Sequence, residues 1–239
     1  MTRRSIFPMP LALWGQTDGL QYSLSKYVTA DGKVKYAALK ADLGALDKYV
    51  ETLKTFDADK LPSREAKLAH WINVYNALIL WSFAKDYPQE KDRLKNPLRR
   101  AAYFYRRKFR VGGLDRSLAD IEDNSLRKAF KEPRIHFAIV CASASCPYLS
   151  TKVYTAGDVM VRLEEDARRF LTAERNVKVD AAKKTVTVAE IFKWFQADFG
   201  GSEKAVLQFL GRYLKTARLE EPGWKLKYFD YNWSINDQI

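Results

Sequence analysis

The 239 residues predict an α+β domain, and three observations carry that expectation. Apolar residues recur at helical spacing over several long segments, and short alternating runs lie between some of them. The two kinds of segment do not alternate regularly, as a parallel βαβ sheet would require. No linker divides the chain, and 47% apolar and 13% aromatic content suffices to fill a core. Residues 18–239 therefore read as a single domain. A central helix and a mixed or antiparallel sheet are expected, with further helices around them. Residues 1–17 form a separate N-terminal segment.

The elements follow in order. Residues 18–28 have helical character, and Asp31-Gly32 turns the chain into a short extended Lys33–Tyr36. Leu39, Leu43, Leu46, Val50 and Leu53 space out a helix over 37–56, which Asp57 to Pro62 breaks. Ser63 then caps a long helix to about Asp86, closed by Tyr87-Pro88. That helix is apolar nearly all round, so it belongs in the middle of the domain. Residues 89–116 are basic and irregular, with a strand near Phe109–Val111 and a turn at Gly112-Gly113. Ser117 and Asp120 resemble a capping box opening a helix to Phe130. Alternation predicts a strand over 134–140, with Ile135, Phe137 and Ile139 on one face and His136, Ala138 and Val140 on the other. A helix over 156–173, a hairpin of 177–179 with 185–188, helices at 189–198 and 203–216, and a strand-like 226–235 complete the chain.

Composition bounds the function. The net charge of +12 favours an anionic partner or surface. Two cysteines are too few for a disulfide-dense scaffold. No run of about 18 apolar residues spans a membrane. Thr2-Arg3-Arg4-Ser5-Ile6-Phe7 matches the core of a twin-arginine export signal, yet Pro8 and Pro10 interrupt the apolar stretch that should follow. A bacterial periplasmic or secreted location and a cytoplasmic one both fit this segment.

The chemistry concentrates in Arg134 to Pro147, which holds His136, Cys141 and Cys146. Strand parity puts His136 and Cys141 on opposite faces and leaves Cys146, in the following loop, as the partner of the imidazole. Glu122 falls within the apolar face of helix 117–130, where an unpaired charge costs several kcal/mol. It either pairs with Arg134 or orients His136, as the acid of a triad does. Asn73, Tyr75 and Asn76 are polar groups on the buried helix, available to orient His136 or to donate to an oxyanion. Two other readings compete for the cysteines. Their spacing allows a disulfide, and with His136 they are three zinc-ligand types, though at a spacing on the edge of the usual range. No metal and no cofactor is expected. Seven basic residues between Lys95 and Arg110, Arg106 and Arg107 among them, are interleaved with Tyr103, Phe104, Tyr105 and Phe109. Such a patch suits an anionic partner through residues 95–110. No nucleic-acid fold motif accompanies it, so nucleic acid is not the expected partner.

Several ordered motifs resemble the domain-of-unknown-function 547 family. They are Trp71-Ile-Asn73-Val-Tyr75-Asn76-Ala77-Leu78, Ser117-Leu-Ala-Asp-Ile121-Glu122, Arg134-Ile-His136-Phe-Ala138 and Cys141-Ala-Ser143-Ala-Ser145-Cys146-Pro147. Ile191-Phe192-Lys-Trp194-Phe195 with Asp198-Phe199, then Tyr231-Asn232-Trp233-Ser234-Ile-Asn236, look like its closing motifs. The resemblance runs from about Lys26 to Asp237 and implies a shared fold rather than a reaction. Asp123 and Ala189 depart from it, standing where a histidine and a serine are common. The expected activity is a cysteine-dependent hydrolase or transferase acting on an amide or thioester. Glu122, His136 and Cys146 would be central to it, and the substrate is open. The alternative is a binding module with a Cys141–Cys146 structural or redox disulfide and an anion-binding patch.

Overall fold

A computed structural model of the chain describes residues 17–214 and 218–238. The arginine pair near the N-terminus lies outside the described residues. Helix α1 is Asp18–Tyr27, and α2 and α3 are Tyr36–Ala41 and Gly44–Leu53. The single helix expected over 37–56 is thus two. The break falls at Asp42, whose carboxylate accepts hydrogen bonds from Tyr22 (2.8 Å), Lys26 (3.0 Å) and Tyr27 (2.5 Å) of α1. A side chain gathering three donors from a neighbouring helix outweighs the local preference to continue.

Helix α4, Arg64–Asp86, begins where the Ser63 hydroxyl accepts the Ala66 N–H at 3.1 Å. Leu68, Ile72, Val74, Ala77, Leu78 and Leu80 of α4 are buried on all sides of it, which makes it the central helix of the domain. Part of the basic stretch is helical rather than irregular. Helix α5, Pro97–Ala101, is capped by Asn96 and widens into a π-helical turn, Ala102–Arg106. Strands β1 (Phe109–Val111) and β2 (Leu114–Arg116) then form an antiparallel hairpin, as its two glycines suggest. Helix α6 opens as Leu118–Asp120 with Ser117 as its cap, passes through a π-helical stretch, Ile121–Arg127, and ends as Lys128–Phe130.

The expected strand at 134–140 is absent, and this is the main correction to the fold. Glu132 caps a 3₁₀ turn, Pro133–Phe137, by accepting the Arg134 N–H at 3.1 Å, and Pro133 fixes the first backbone angle. The backbone beyond it pairs with a side chain instead of a strand. Asn76 of α4 donates to Ala138 O at 2.8 Å and accepts from Val140 N–H at 3.0 Å. Asn73 grips Tyr154 in the same way, at 2.8 and 2.9 Å. These two buried amides therefore satisfy backbone groups that no sheet reaches.

Helix α7 (Val159–Leu171) leads to β3 (Val177–Asp180) and β4 (Thr185–Val188), which pair antiparallel. After α8 (Ile191–Trp194), a 3₁₀ turn at Gln196–Phe199 and α9 (Glu203–Gly211), strand β5 (Lys225–Tyr228) lies parallel to β4. The final extended segment is shorter than expected as a strand. It continues as isolated bridges, Ser143 to Ile235 and Val34 to Asp237. The result is an α+β arrangement in a single domain with small sheets. Among the described helices, none is long and apolar enough to cross a membrane.

Two clusters of buried side chains meet at the 3₁₀ turn. Ile135 belongs to the larger one around α4, and Phe137 belongs to the smaller one of α7, β4, α8 and α9. His136 sits between them. Asn76→Ala should cost about 3 kcal/mol in urea denaturation, because it leaves the Ala138 carbonyl and the Val140 amide buried and unpaired. A loss below about 1 kcal/mol would show that this segment does not depend on the Asn76 amide.

Candidate active site

At this seam the chain leaves a cavity of about 300 Å³. Tyr75 of α4, Glu122 of the π-helical stretch, His136 and Ile139, Cys141 and Cys146, and Tyr231 all line it. Phe104, Tyr105, Trp194, Phe195 and Trp233 form much of its wall, and Arg100 stands beside Trp233 with its guanidinium 3.7 Å from the ring centre. His136, within the 3₁₀ turn, and Ile139, just beyond its end, both line this space.

His136 is buried, and its Nε2 lies 2.7 Å from Asp198 Oδ2. Asp198 accepts two further hydrogen bonds from Arg127, at 2.6 Å from Nε and 3.1 Å from Nη2. Burial alone would raise the Asp198 pKa, but the bonds from His136 and Arg127 overcome it and hold the carboxyl well below the usual carboxylate range. An ionised Asp198 only accepts, so Nε2 carries the proton. Burial pushes the His136 pKa below its ordinary value of 6.5 against the opposing pull of Asp198. The ring is therefore neutral at pH 7, with Nδ1 as a proton acceptor. Phe195 stacks on it at 4.1 Å and Phe199 flanks it at 5.7 Å.

Glu122 has the opposite character. No cation is paired with it among the described residues, and Tyr75 Oη donates to its Oε2 at 3.2 Å. Burial pushes its pKa up to about 7, and the Tyr75 hydrogen bond offsets only part of that rise. Glu122 stands in the π-helical stretch and lines the cavity.

Cys141 and Cys146 lie at disulfide-bonding distance, with Cα atoms 6.3 Å apart. Cys146 Sγ accepts from the Cys141 N–H at 2.9 Å and from Tyr231 Oη at 3.3 Å. Cys146 is buried, whereas Cys141 is partly accessible at the cavity wall. Among the described residues, no group of three or more histidine, cysteine and acidic side chains is placed to hold a metal ion.

Glu122, His136, Cys141, Cys146 and Tyr75 thus come together. Asn73, Asn76 and Arg134 do not join them. The two asparagines are occupied with backbone, and Arg134 binds Glu132 (2.6 and 2.8 Å) and Glu164 (3.2 Å) rather than Glu122. The orienting acid of His136 is Asp198, not Glu122. The parity that set Cys141 apart from His136 also disappears with the strand, and both sulfurs share the cavity with the imidazole. In the basic stretch, Arg107 is paired with Asp86, Arg99 with Glu90, Lys95 with Asp92 and Arg110 with Asp115, while Arg106 is exposed. Tyr103 and Phe109 are buried, and Phe104 and Tyr105 turn to the cavity. Asp198 and Tyr231 were not singled out by sequence reasoning, although both stand in the closing motifs.

Residues 59–171 match the family model described as protein of unknown function, DUF547, and this stretch belongs to that family. It contains Tyr75, Glu122, His136 and both cysteines, whereas Asp198 and Tyr231 lie beyond it. Neither a curated protein nor a solved structure matches the chain.

The raised pKa of Glu122 makes stability depend on pH. Below about pH 4.5 the carboxyl is protonated in folded and unfolded chains alike, so it contributes nothing. Between 4.5 and about 7 the folded protein keeps a proton that the unfolded chain has lost, so stability falls as pH rises. The full penalty, up to about 3 kcal/mol, is present above pH 7. Glu122→Gln should be more stable than the parent at pH 8 and equal to it at pH 4, measured by denaturant titration. Equal stabilities at both values would contradict a buried, unpaired carboxyl.

Proposed function

We propose that the cavity is the active site of a hydrolase or transferase that cleaves an acyl bond, an amide or a thioester, by general acid–base chemistry with a thiol nucleophile. The observation that carries this reading is one cavity lined by two titratable groups poised in opposite states. His136 is a neutral base, held in one tautomer by Asp198, and Glu122 is a carboxylic acid that keeps its proton close to neutrality. Environments that push two pKa values apart in this way assign the acid and the base.

In the dithiol protein Cys146 is the sulfur best prepared to attack. The Cys141 N–H and the Tyr231 hydroxyl, both within hydrogen-bonding reach of its Sγ, favour the thiolate. His136 Nδ1 takes the thiol proton, and Asp198 stabilises the imidazolium that results. The thiolate adds to the acyl carbon, and Glu122 protonates the departing amine or thiolate. Water or a second acceptor then takes the acyl group from sulfur, with Glu122 now acting as base. The aromatic wall excludes water from the acyl chain and favours an apolar or aromatic acyl group.

Turnover of thioesters and of amino-acid anilides by the protein, reduced beforehand with a phosphine, tests this reading. kcat/KM should fall as pH rises through about 7, where Glu122 loses its proton. Glu122→Gln should remove that limb and lower kcat by roughly 10²–10⁴-fold. Asp198→Asn should cause a loss of about 10⁴-fold by releasing the tautomer of His136. Wild-type turnover in Glu122→Gln, or no turnover of either substrate class, would overturn the assignment.

A further inference from the structure

The acyl-transfer reading uses the sulfurs only after their bond is opened, and it leaves unexplained why a disulfide should form a cavity wall. The bond closes a loop of only a few residues, and a staple gains least there. The loop is moreover fixed by other means. Ala142 holds a positive φ of 64°, and its carbonyl accepts the Asn236 N–H at 2.9 Å. Ala144 N–H donates to Ser234 O at 2.7 Å, and Arg175 donates to the carbonyls of Ala144 (2.8 Å) and Cys146 (3.2 Å). The loop is thus held in place without the sulfur–sulfur bond.

We propose that Cys141 and Cys146 form a thiol–disulfide exchange site for a small anionic thiol, with Cys141 the sulfur attacked and Cys146 the sulfur that departs. Three features support this. Both cysteines line the cavity, and Cys141 is the partly exposed residue of the pair. Cys146 is the buried one, and its Sγ already accepts the Cys141 N–H at 2.9 Å, while the Tyr231 hydroxyl lies 3.3 Å from both sulfurs. A departing sulfur with a backbone N–H aimed at it leaves faster, because exchange rates rise as the leaving thiolate is stabilised. Arg100 gives the charge preference. Its guanidinium lies on Trp233 at the cavity wall and donates to the Leu94 carbonyl at 2.7 Å, and no described carboxylate is paired with it. A cavity of about 300 Å³ admits a small molecule rather than a folded protein.

The exchange balances as follows. A thiol loses its proton to solvent, and its thiolate attacks Cys141 Sγ. The Cys141–Cys146 bond breaks, its electron pair goes to Cys146, and a mixed disulfide forms on Cys141. A second thiolate attacks the bound thiol's own sulfur and releases Cys141 as a thiolate. The two cysteine thiolates take up two protons. Two thiols are oxidised to one disulfide while the protein disulfide is reduced by the same two electrons. A small disulfide in excess drives the cycle backwards and restores the cavity wall.

The test uses the full, folded, oxidised chain with three probes at equal thiolate concentration: mercaptosuccinate, 2-mercaptoethanol and cysteamine. Alkylation followed by intact mass reports the rate of opening. Mercaptosuccinate should react at least about ten-fold faster than cysteamine, and Arg100→Gln should abolish the difference. Given mercaptosuccinate disulfide instead, Cys146→Ser should form a mixed disulfide on Cys141 that stays trapped, with one mercaptosuccinate thiolate released, read by peptide mass. Cys146→Ala serves the same purpose should the serine variant fold poorly. Opening only in denaturant, equal rates for the anionic and cationic probes, or an adduct from mercaptosuccinate disulfide forming as readily on Cys146 in Cys141→Ser would overturn the proposal. The outcome is separable from acyl turnover, because the phosphine-reduced protein is assayed without any thiol. Exchange without turnover removes the acyl reading alone, and turnover by a protein whose disulfide resists all three thiols removes the exchange site alone.

Discussion

The Asp198 carboxylate is the contact on which the rest of the site depends. It takes one hydrogen bond from His136 and two from Arg127, and so ties together the 3₁₀ turn at 133–137, the π-helical stretch of α6 and the turn after α8. These pieces come from different parts of the chain and from both packed clusters. Charge-assisted bonds of this kind are each worth roughly 1.5–3 kcal/mol. The energy alone is modest. More important is that a half-buried carboxylate with all its partners present leaves the imidazole one orientation and one tautomer. Arg127 also lies over Phe195 at 4.7 Å, and Phe195 is the ring on which His136 stacks. The cation, the aromatic and the imidazole therefore hold one another in register.

The cavity is built from irregular backbone. Two helices widen to π geometry where they approach it, the segment carrying His136 is a 3₁₀ turn, and Ala142 between the cysteines takes a left-handed conformation. Each departure is unfavourable locally and needs support from elsewhere. The central helix supplies much of it. Asn76 holds the backbone just after His136, and Tyr75, its neighbour, reaches Glu122. Two adjacent positions on one buried helix thus hold the backbone beside His136 and the carboxyl of Glu122. This explains why so apolar a helix carries asparagine and tyrosine at its centre.

Periodic features were legible in the sequence. The apolar spacing of α4, the serine caps at 63 and 117, the glycine turn between β1 and β2 and the hairpin of β3 with β4 all follow from local rules. The segment 134–140 misled because its alternation of apolar residues is real, whereas its hydrogen-bond partner is a side chain. Nothing local announces that Asn76, some sixty positions earlier, replaces a neighbouring strand. Asp42 broke a helix for a similar reason, through donors on another element. In the site, Glu122 could be found from a carboxyl on an apolar face, and His136 and the cysteines from their rarity. Asp198 and Tyr231 stood in visible motifs, but a carboxylate and a phenol are ordinary surface residues until the fold shows what they face.

The two proposals draw on one geometry of the sulfur pair. Donors that stabilise Cys146 as a thiolate make it a better nucleophile toward an acyl carbon and a better leaving group from a disulfide. What separates the two is the state of Cys141. Joined to Cys146, Cys141 presents an electrophilic sulfur to the cavity and withdraws the nucleophile. Released, it leaves a thiolate beside a neutral imidazole and a protonated carboxyl. Hydrogen bonds with Asn236, Ser234 and Arg175 hold the loop around them independently of the sulfurs. On both proposals the redox state of the pair would set the chemistry of the wall.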